Sequence, residues 1–249
     1  MGVKVSDSEV DAHYGPSSGS VHETKGVLSM KSAILLAIKH LLAPVLYRHP
    51  PTNLSPYCLY TYLDVLYRTA SLPDPVVEIG CHQCGTTILA TRFLKEIGVT
   101  KEYIAIDTFG GFVPSQLDGM ARYAHEFSAN SLSLAQTILR LHCSEAQLVQ
   151  RDIVTMPDDV LPTRISAALI DVDLRAPTEA ALRKVYPRLS PGGIILVDDC
   201  GPESVWSARD GYFDFVTSLG LVPAFIAGMG MIAGESTITP SKGDDDDGR

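Results

Sequence analysis

The sequence predicts an α/β protein with a doubly wound, mostly parallel sheet, finished by a C-terminal antiparallel hairpin and preceded by a helical extension. Three observations predict it. From Pro75 onward, short apolar runs at 76–80, 103–107, 146–150, 165–171 and 193–198 alternate with longer helix-patterned segments, as βαβ units do. The first run ends in a glycine-bearing turn that opens directly into a helix. The final runs, 221–226 and 229–233, flank Gly228, and Gly230 follows, so they read as a hairpin.

The elements follow in order. Residues 1–26 are polar and rich in Gly and Ser, the composition of a mobile terminus. A helix is expected over 28–46, then a linker bearing Pro50, Pro51 and Pro56, then a second helix over 57–69 closed by Leu72-Pro73-Asp74-Pro75. Between the strands, helices are expected at 86–97, 119–141, 177–189 and 204–219. The chain ends in a solvated acidic tail with four consecutive aspartates. The organisation read from this is a mobile segment 1–26, a helical cap 27–75, a ligand-binding α/β domain 76–235 and a tail 236–249.

Bulk composition narrows the partners. With 45% apolar and 20% charged residues, the 249-residue chain has an ordinary globular composition. A net charge of −9 disfavours nucleic acid and anionic membrane, and suits a small molecule or a cation held by carboxylates. The five cysteines are odd in number and scattered, which predicts reduced thiols and a cytoplasmic protein. No signal peptide is visible, and Lys31, Lys39, His40 and Pro44 break the most apolar window too often for a bilayer span. That window, lying ahead of the body, points to a homodimer.

The turn after the first strand carries Glu78-Ile79-Gly80-Cys81-His82-Gln83-Cys84-Gly85-Thr86. A P-loop would need Lys where Thr86 stands, and the dinucleotide fingerprint fails at His82. What remains, Glu-x-Gly and a small turn with Gly85, resembles the first motif of class I, Rossmann-like methyltransferases, whose acidic residue serves the methionine end of S-adenosylmethionine. Asp107 ends the next strand, where a carboxylate either accepts the two ribose hydroxyls of an adenosine or caps the turn that follows. Asp152 is the corresponding candidate beside the adenine. Asp171, Asp198 and Asp199 end two neighbouring strands. They either ligate a hard divalent cation or cap the helices that follow.

The stretch Asp171-Val172-Asp173-Leu174, Thr178 and Tyr186-Pro187-Arg188-Leu189-Ser190-Pro191-Gly192-Gly193, leading to Asp198-Asp199, closely resembles the macrocin O-methyltransferase (TylF-type) family over residues 76–220. The resemblance implies Mg²⁺-dependent methylation of a sugar hydroxyl on a natural product. Asp171, Asp198 and Asp199 would hold the metal, Asp171 serving in catalysis. Glu78, Gly80, Cys81, Gly85, Asp107 and Asp152 would line the cofactor site.

The sequence departs from the family in three places. Cys84 stands where glycine is usual. Arg175, Ala176 and Pro177 replace a Tyr-Glu-Ser run. The last strands lack the usual histidine, since none follows His142. His125 and His142 are the remaining base candidates, flanking a stretch suited to a substrate lid. Cys81 and Cys84 have a redox- or zinc-like spacing without a second ligand pair, so free thiols are expected. A protein of the same descent repurposed for a cyclisation or elimination, with its cofactor retained, is the alternative that the missing histidine raises. A subunit without turnover is a third reading.

Overall fold

A computed structural model describes residues 30–234. The expectations for 1–26, for residues 28 and 29 and for the acidic tail therefore lie outside the described residues. The expected helix at 28–46 is two helices, α1 (Met30–Leu41) and α2 (Ala43–Leu46). The break at Leu42 comes two residues before Pro44, whose ring and missing N–H cannot continue a helix. No residue of α1 is buried, and its polar side anchors it: Lys39 Nζ donates to Ala129 O at 2.8 Å, and Ser32 Oγ lies 3.1 Å from Ser128 Oγ. Helix α3 (Pro56–Arg68) is capped by Ser55 Oγ, which accepts from Cys58 N, and starts on a proline pre-set for the first turn.

Seven strands follow: β1 (Val76–Ile79), β2 (Tyr103–Asp107), β3 (Gln147–Gln150), β4 (Ile165–Ile170), β5 (Leu189–Val197), β6 (Ala224–Ile226) and β7 (Met229–Ala233). Their order is β3-β2-β1-β4-β5-β7-β6, parallel except that β7 runs antiparallel to both β5 and β6. The strand order reverses about β1, so the crevice beyond the C-terminal ends of β1 and β4 is where an open α/β sheet receives a ligand. Strand alternation separates two cores. Val76, Ala105, Ala167 and Leu169 face α3, α4 (Gly85–Glu96) and α5 (Leu132–Leu141). Val77, Ile104, Ala168 and Ile170 face α6 (Arg175–Val185) and α7 (Ala208–Ser218). Glu78 therefore points to the α3/α4 side. Tyr212, on α7, stitches the hairpin: its single hydroxyl proton is shared between Ala224 O and Met231 O, its oxygen accepts from Ala224 N, and its ring covers Gly230 where any Cβ would collide.

Some boundaries correct the sequence reading. The helix expected over 119–141 is only α5. Before it come 3-10 turns at Pro114–Gln116 and Ala121–Tyr123, because Asp118, Gly119 and Phe127 take positive φ that no helix accommodates. The 177–189 helix ends at Val185, and Pro187 sits in a 3-10 turn. Strand β5 begins at Leu189, and residues 204–207 form loop ahead of α7. The hairpin begins at Ala224 rather than 221.

Candidate active site

One cavity of about 260 Å³ opens at the crevice beyond β1 and β4. It is lined by Glu78, Gly80, Cys81, Gly85, Asp107 and Asp152 together with Asp171, Asp173, Asp198 and Asp199. Every cofactor and metal residue expected from the sequence thus meets at a single space.

Glu78 is buried, and both its protein hydrogen bonds end on one oxygen: Tyr103 Oη donates to Oε2 at 2.5 Å and Thr87 Oγ1 at 2.7 Å. Tyr103 in turn lies 2.8 Å from the hydroxyl of Tyr62 on α3. Burial pushes the Glu78 carboxyl up to about 7. The Tyr103 and Thr87 bonds pull it back down, and the nearby Asp107 charge adds to the rise. Asp107 accepts His82 N at 2.8 Å on one oxygen and Phe109 N at 2.6 Å on the other. It therefore fixes the loop after β1 to the loop after β2. Burial raises its carboxyl, and the two N–H donors oppose that. Asp152 accepts from Val154 N, Thr155 Oγ1 and Gln116 Nε2, tying the 3-10 segment to the end of β3.

The two loop glycines serve a purpose the sequence reading did not foresee. A Cβ on Gly80 would overlap Asp171 O, and one on Gly85 would overlap the backbone of Pro51 and Thr52. The close approach at each is made by the chain's own backbone. Cys84 has φ +64°, which explains why glycine is the easier residue there. All five cysteines are free, with Cys84 Sγ 3.9 Å from Cys81 Sγ, and burial raises the Cys81 thiol.

Oxygens of Asp171, Asp173 and Asp199 lie within 4.8 Å of one another. The trio differs from the expected one: Asp173 joins it, while Asp198 lines the same cavity beside the Cys58 thiol. Burial first, and mutual repulsion second, raise Asp171 and Asp173 well above the carboxylate range; the same causes put Asp198 at about 6, against opposing bonds from Asp199 N–H and Cys58. Asp173 and Asp199 both hold positive φ, 61° and 56°, a strained backbone of the kind that collects at functional sites. The capping alternative finds no support. Neither α6 nor α7 has a side-chain N-cap hydrogen bond, and their cap positions are Leu174 and Ser207.

The histidine candidates do not reach this chemistry. His142 is buried with both ring nitrogens engaged. Nε2 meets Tyr47 O at 2.9 Å and so donates, which leaves Nδ1 to accept from Arg92 Nη2 at 2.9 Å. His125 is exposed and borders a separate hollow with Lys31 and Lys39. His82 does line the cavity, its ring edge-on to Phe127, and burial followed by the Lys39 charge pushes it down to about 4.

Sequence reasoning missed Asn130. Its Nδ2 donates to His82 O at 2.8 Å, and its Oδ1 is buried, partnerless and at the cavity wall. It also missed Thr52 and Asn53, which enter the lining from the linker ahead of α3, with Thr52 Oγ1 2.8 Å from Thr86 Oγ1. An Asn-Ser pair at an expected mid-helix position, 130–131, was the available signal, since such a pair favours an N-cap over a helix interior.

The sheet order, the antiparallel β7 and the ligand crevice define a class I methyltransferase fold. The O-methyltransferase NovP superposes with a TM-score of 0.65 over 82% of this chain and 99% of its own, at 16% identity. The calicheamicin methyltransferase CalS11 does so at 0.57 over 90% and 99%, at 19% identity. The family model for macrocin O-methyltransferase (TylF) matches residues 64–215, and the chain belongs to that family. Among curated relatives, a tetracenomycin rhamnosyl 4'-O-methyltransferase of Streptomyces olivaceus is 27% identical over 66% of this chain and 64% of its own length. Mycinamicin III 3''-O-methyltransferase of Micromonospora griseorubida is 30% identical over 56% of this chain and 61% of its own. The matches thus span somewhat less than two thirds of each relative.

Proposed function

We propose that this chain is an S-adenosylmethionine- and Mg²⁺-dependent O-methyltransferase that methylates a hydroxyl on the sugar or polyketide-derived part of a natural product. The observation that carries the reading is the convergence of the acidic trio and the first-motif loop on one cavity. The residues fit both groups. Glu78 keeps one oxygen without a protein hydrogen bond among the described residues, and Asn130 Oδ1 is an orphaned buried acceptor. These are two sites for the donors of a cationic amino acid moiety and a nucleoside. The trio is an all-oxygen donor set of the kind that hard cations take.

Bound there, S-adenosylmethionine supplies an electrophilic methyl group and Mg²⁺ supplies Lewis acidity toward a hydroxyl. The chain's residues do the rest. Glu78 and Asp107 would hold the two ends of the cofactor against the sheet edge. Asp171, Asp173 and Asp199 would hold the cation, and Asp198 beside them would add negative potential that favours release of the hydroxyl proton to solvent. No histidine stands on β6 or β7, and His82, His125 and His142 are unsuited to the base role for the reasons above. The names of the relatives support a sugar hydroxyl as acceptor.

The test is stoichiometry. With a glycosylated polyketide acceptor, S-adenosylhomocysteine is expected to appear one-for-one with product and to stop on adding EDTA. Product formed with S-adenosylhomocysteine in place of the methyl donor would overturn methyl transfer and favour the repurposed chemistry.

A further inference from the structure

Four aromatic rings at the cavity mouth belong to neither hydrophobic core. Phe112, Tyr123 and Phe127 come from the segment between β2 and α5, and Trp206 comes from the loop between β5 and α7. The Trp206 centroid lies 4.7 Å from Tyr123, 5.6 Å from Phe112 and 6.3 Å from Phe127, and Phe112 lies 5.4 Å from Phe127. All four are only partly buried, and Phe112, Phe127 and Trp206 line the cavity. Rings that served packing alone would be inside; these form a wall facing open space.

The wall is tied to the acidic trio. Trp206 N donates to Ser204 Oγ at 3.2 Å, and Ser204 Oγ donates to Asp199 Oδ1 at 3.1 Å. The next residue, Ser207, donates its N–H to Asp173 O at 2.9 Å. The position of the indole is therefore set by two of the three carboxylate residues.

The lining also defines charge. Among the described residues it holds seven carboxylates (Glu78, Asp107, Asp152, Asp171, Asp173, Asp198 and Asp199) and one guanidinium, Arg151. Even with one divalent cation on the trio, these carboxylates outnumber the positive charges, so a ligand bearing a diphosphate would enter against that potential. The amides of Asn53, Gln116 and Asn130 share the lining with the rings, and a wholly apolar ligand would leave them unpaired. The ligand that satisfies both is an uncharged ring with one apolar face and a polar edge.

We infer that Trp206, with Phe112 and Phe127, is the platform on which an uncharged glycosyl ring lies by its C–H face, its hydroxyl edge turned to the acidic trio, and that Ser204 is the positioning residue that sets this register. The inference rests on the O-methyltransferase reading and specifies its acceptor: a finished neutral glycoside, methylated after the sugar has left its nucleotide carrier. A glycosyl transfer must therefore supply the substrate.

Trp206 is the only tryptophan of the chain, so its emission reports this wall alone. The experiment titrates the full chain, saturated with S-adenosylhomocysteine and Mg²⁺, with methyl α-L-rhamnopyranoside and separately with dTDP-L-rhamnose. The expected result is a saturable change in emission with the neutral glycoside and binding of the nucleotide sugar that is no tighter. Phe127→Ala and Ser204→Ala are each expected to weaken glycoside binding at least tenfold, Ser204→Thr to restore it, and calorimetric affinity for S-adenosylhomocysteine to change less than twofold throughout. In turnover with mycinamicin III, Ser204→Ala is expected to raise KM more than it lowers kcat. Emission indifferent to the neutral glycoside while S-adenosylhomocysteine still binds, or tenfold tighter binding of dTDP-L-rhamnose, overturns the platform and leaves the O-methyltransferase reading standing. Failure of S-adenosylhomocysteine to bind at all overturns that reading, and the platform with it.

Discussion

Replacing Glu78 by Gln is expected to make the ligand-free protein more stable and a poorer binder of its cofactor. A carboxyl raised from its ordinary 4.5 to about 7 favours its protonated form in the folded state. Its contribution to stability is therefore complete below about 4.5 and is lost as pH rises through about 7, a loss of about 3 kcal/mol by linkage. Gln has no proton to lose. Its carbonyl can keep the donors Tyr103 and Thr87, both of which bond the same oxygen, while the amide nitrogen takes the other oxygen's place at the cavity wall. At pH 8 the variant should melt higher by up to roughly 10 °C, at about 2–4 °C per kcal/mol for a domain of this size. At pH 5 the two proteins should melt within about 2 °C of each other, because there the wild-type side chain is also neutral. Affinity for S-adenosylhomocysteine should fall at least tenfold at pH 8, about the worth of a hydrogen bond to a charged group. Thermal melts at the two pH values and calorimetric titration measure all three quantities. A variant that melts lower than wild type at pH 8, or whose melting retains the wild-type fall between pH 5 and 8, would refute the assignment of that cost to Glu78.

The remaining expectations are simpler. Gly80→Ala should abolish soluble folding, since its Cβ would occupy the space of Asp171 O, whereas Gly192→Ala, at φ +77° in open space, should cost only about 1 kcal/mol of backbone strain; equilibrium unfolding separates them. His142→Ala should cost about 2 kcal/mol by orphaning Tyr47 O and the Arg92 guanidinium, yet leave the pH profile of kcat unchanged, which a base at that position would not permit. Asp173→Asn should weaken Mg²⁺ binding while holding or raising metal-free stability at pH 7, because Asn is neutral without the proton that burial and the neighbouring carboxylates force Asp173 to keep; calorimetry with Mg²⁺ alone and a thermal melt check the two signs.

The parallel strands were legible because runs such as 165–170 are buried on both faces and so are apolar at every position but Ser166. The carboxylates were legible for a related reason: they fall where such runs stop, at the one edge where an α/β sheet admits a ligand. The insertion before α5 was not legible. Its apolar residues recur at helical spacing, but they are the rings that line the mouth, and positive φ at Asp118, Gly119 and Phe127 turns the chain repeatedly. Nor did Ser190-Pro191-Gly192 read as strand, although β5 runs through it by way of a register shift opposite Ile165 and Ala167. The acidic group that lies together differs from the set expected at the strand ends, with Asp173 in the place given to Asp198. Asp198 directly follows β5 and Asp173 lies three residues past β4, so distance from a strand end favours Asp198; the chain turns left-handed at Asp173, and its carboxyl lies within 4.8 Å of those of Asp171 and Asp199.

The contact between Gly85 and the backbone of Pro51 and Thr52 bears on how such proteins can be recombined. Composition changes at Pro75, which invites a crossover there. Yet Thr52 and Asn53 form part of the cavity wall, and Tyr62 steadies the Glu78 carboxyl through Tyr103. A chimera joined at residue 75 would pair one parent's acid with another parent's tyrosine and lay a foreign turn across Gly85. Working hybrids are expected to inherit residues 50–69 and the sheet from the same parent, so the seam for exchange lies ahead of Pro50.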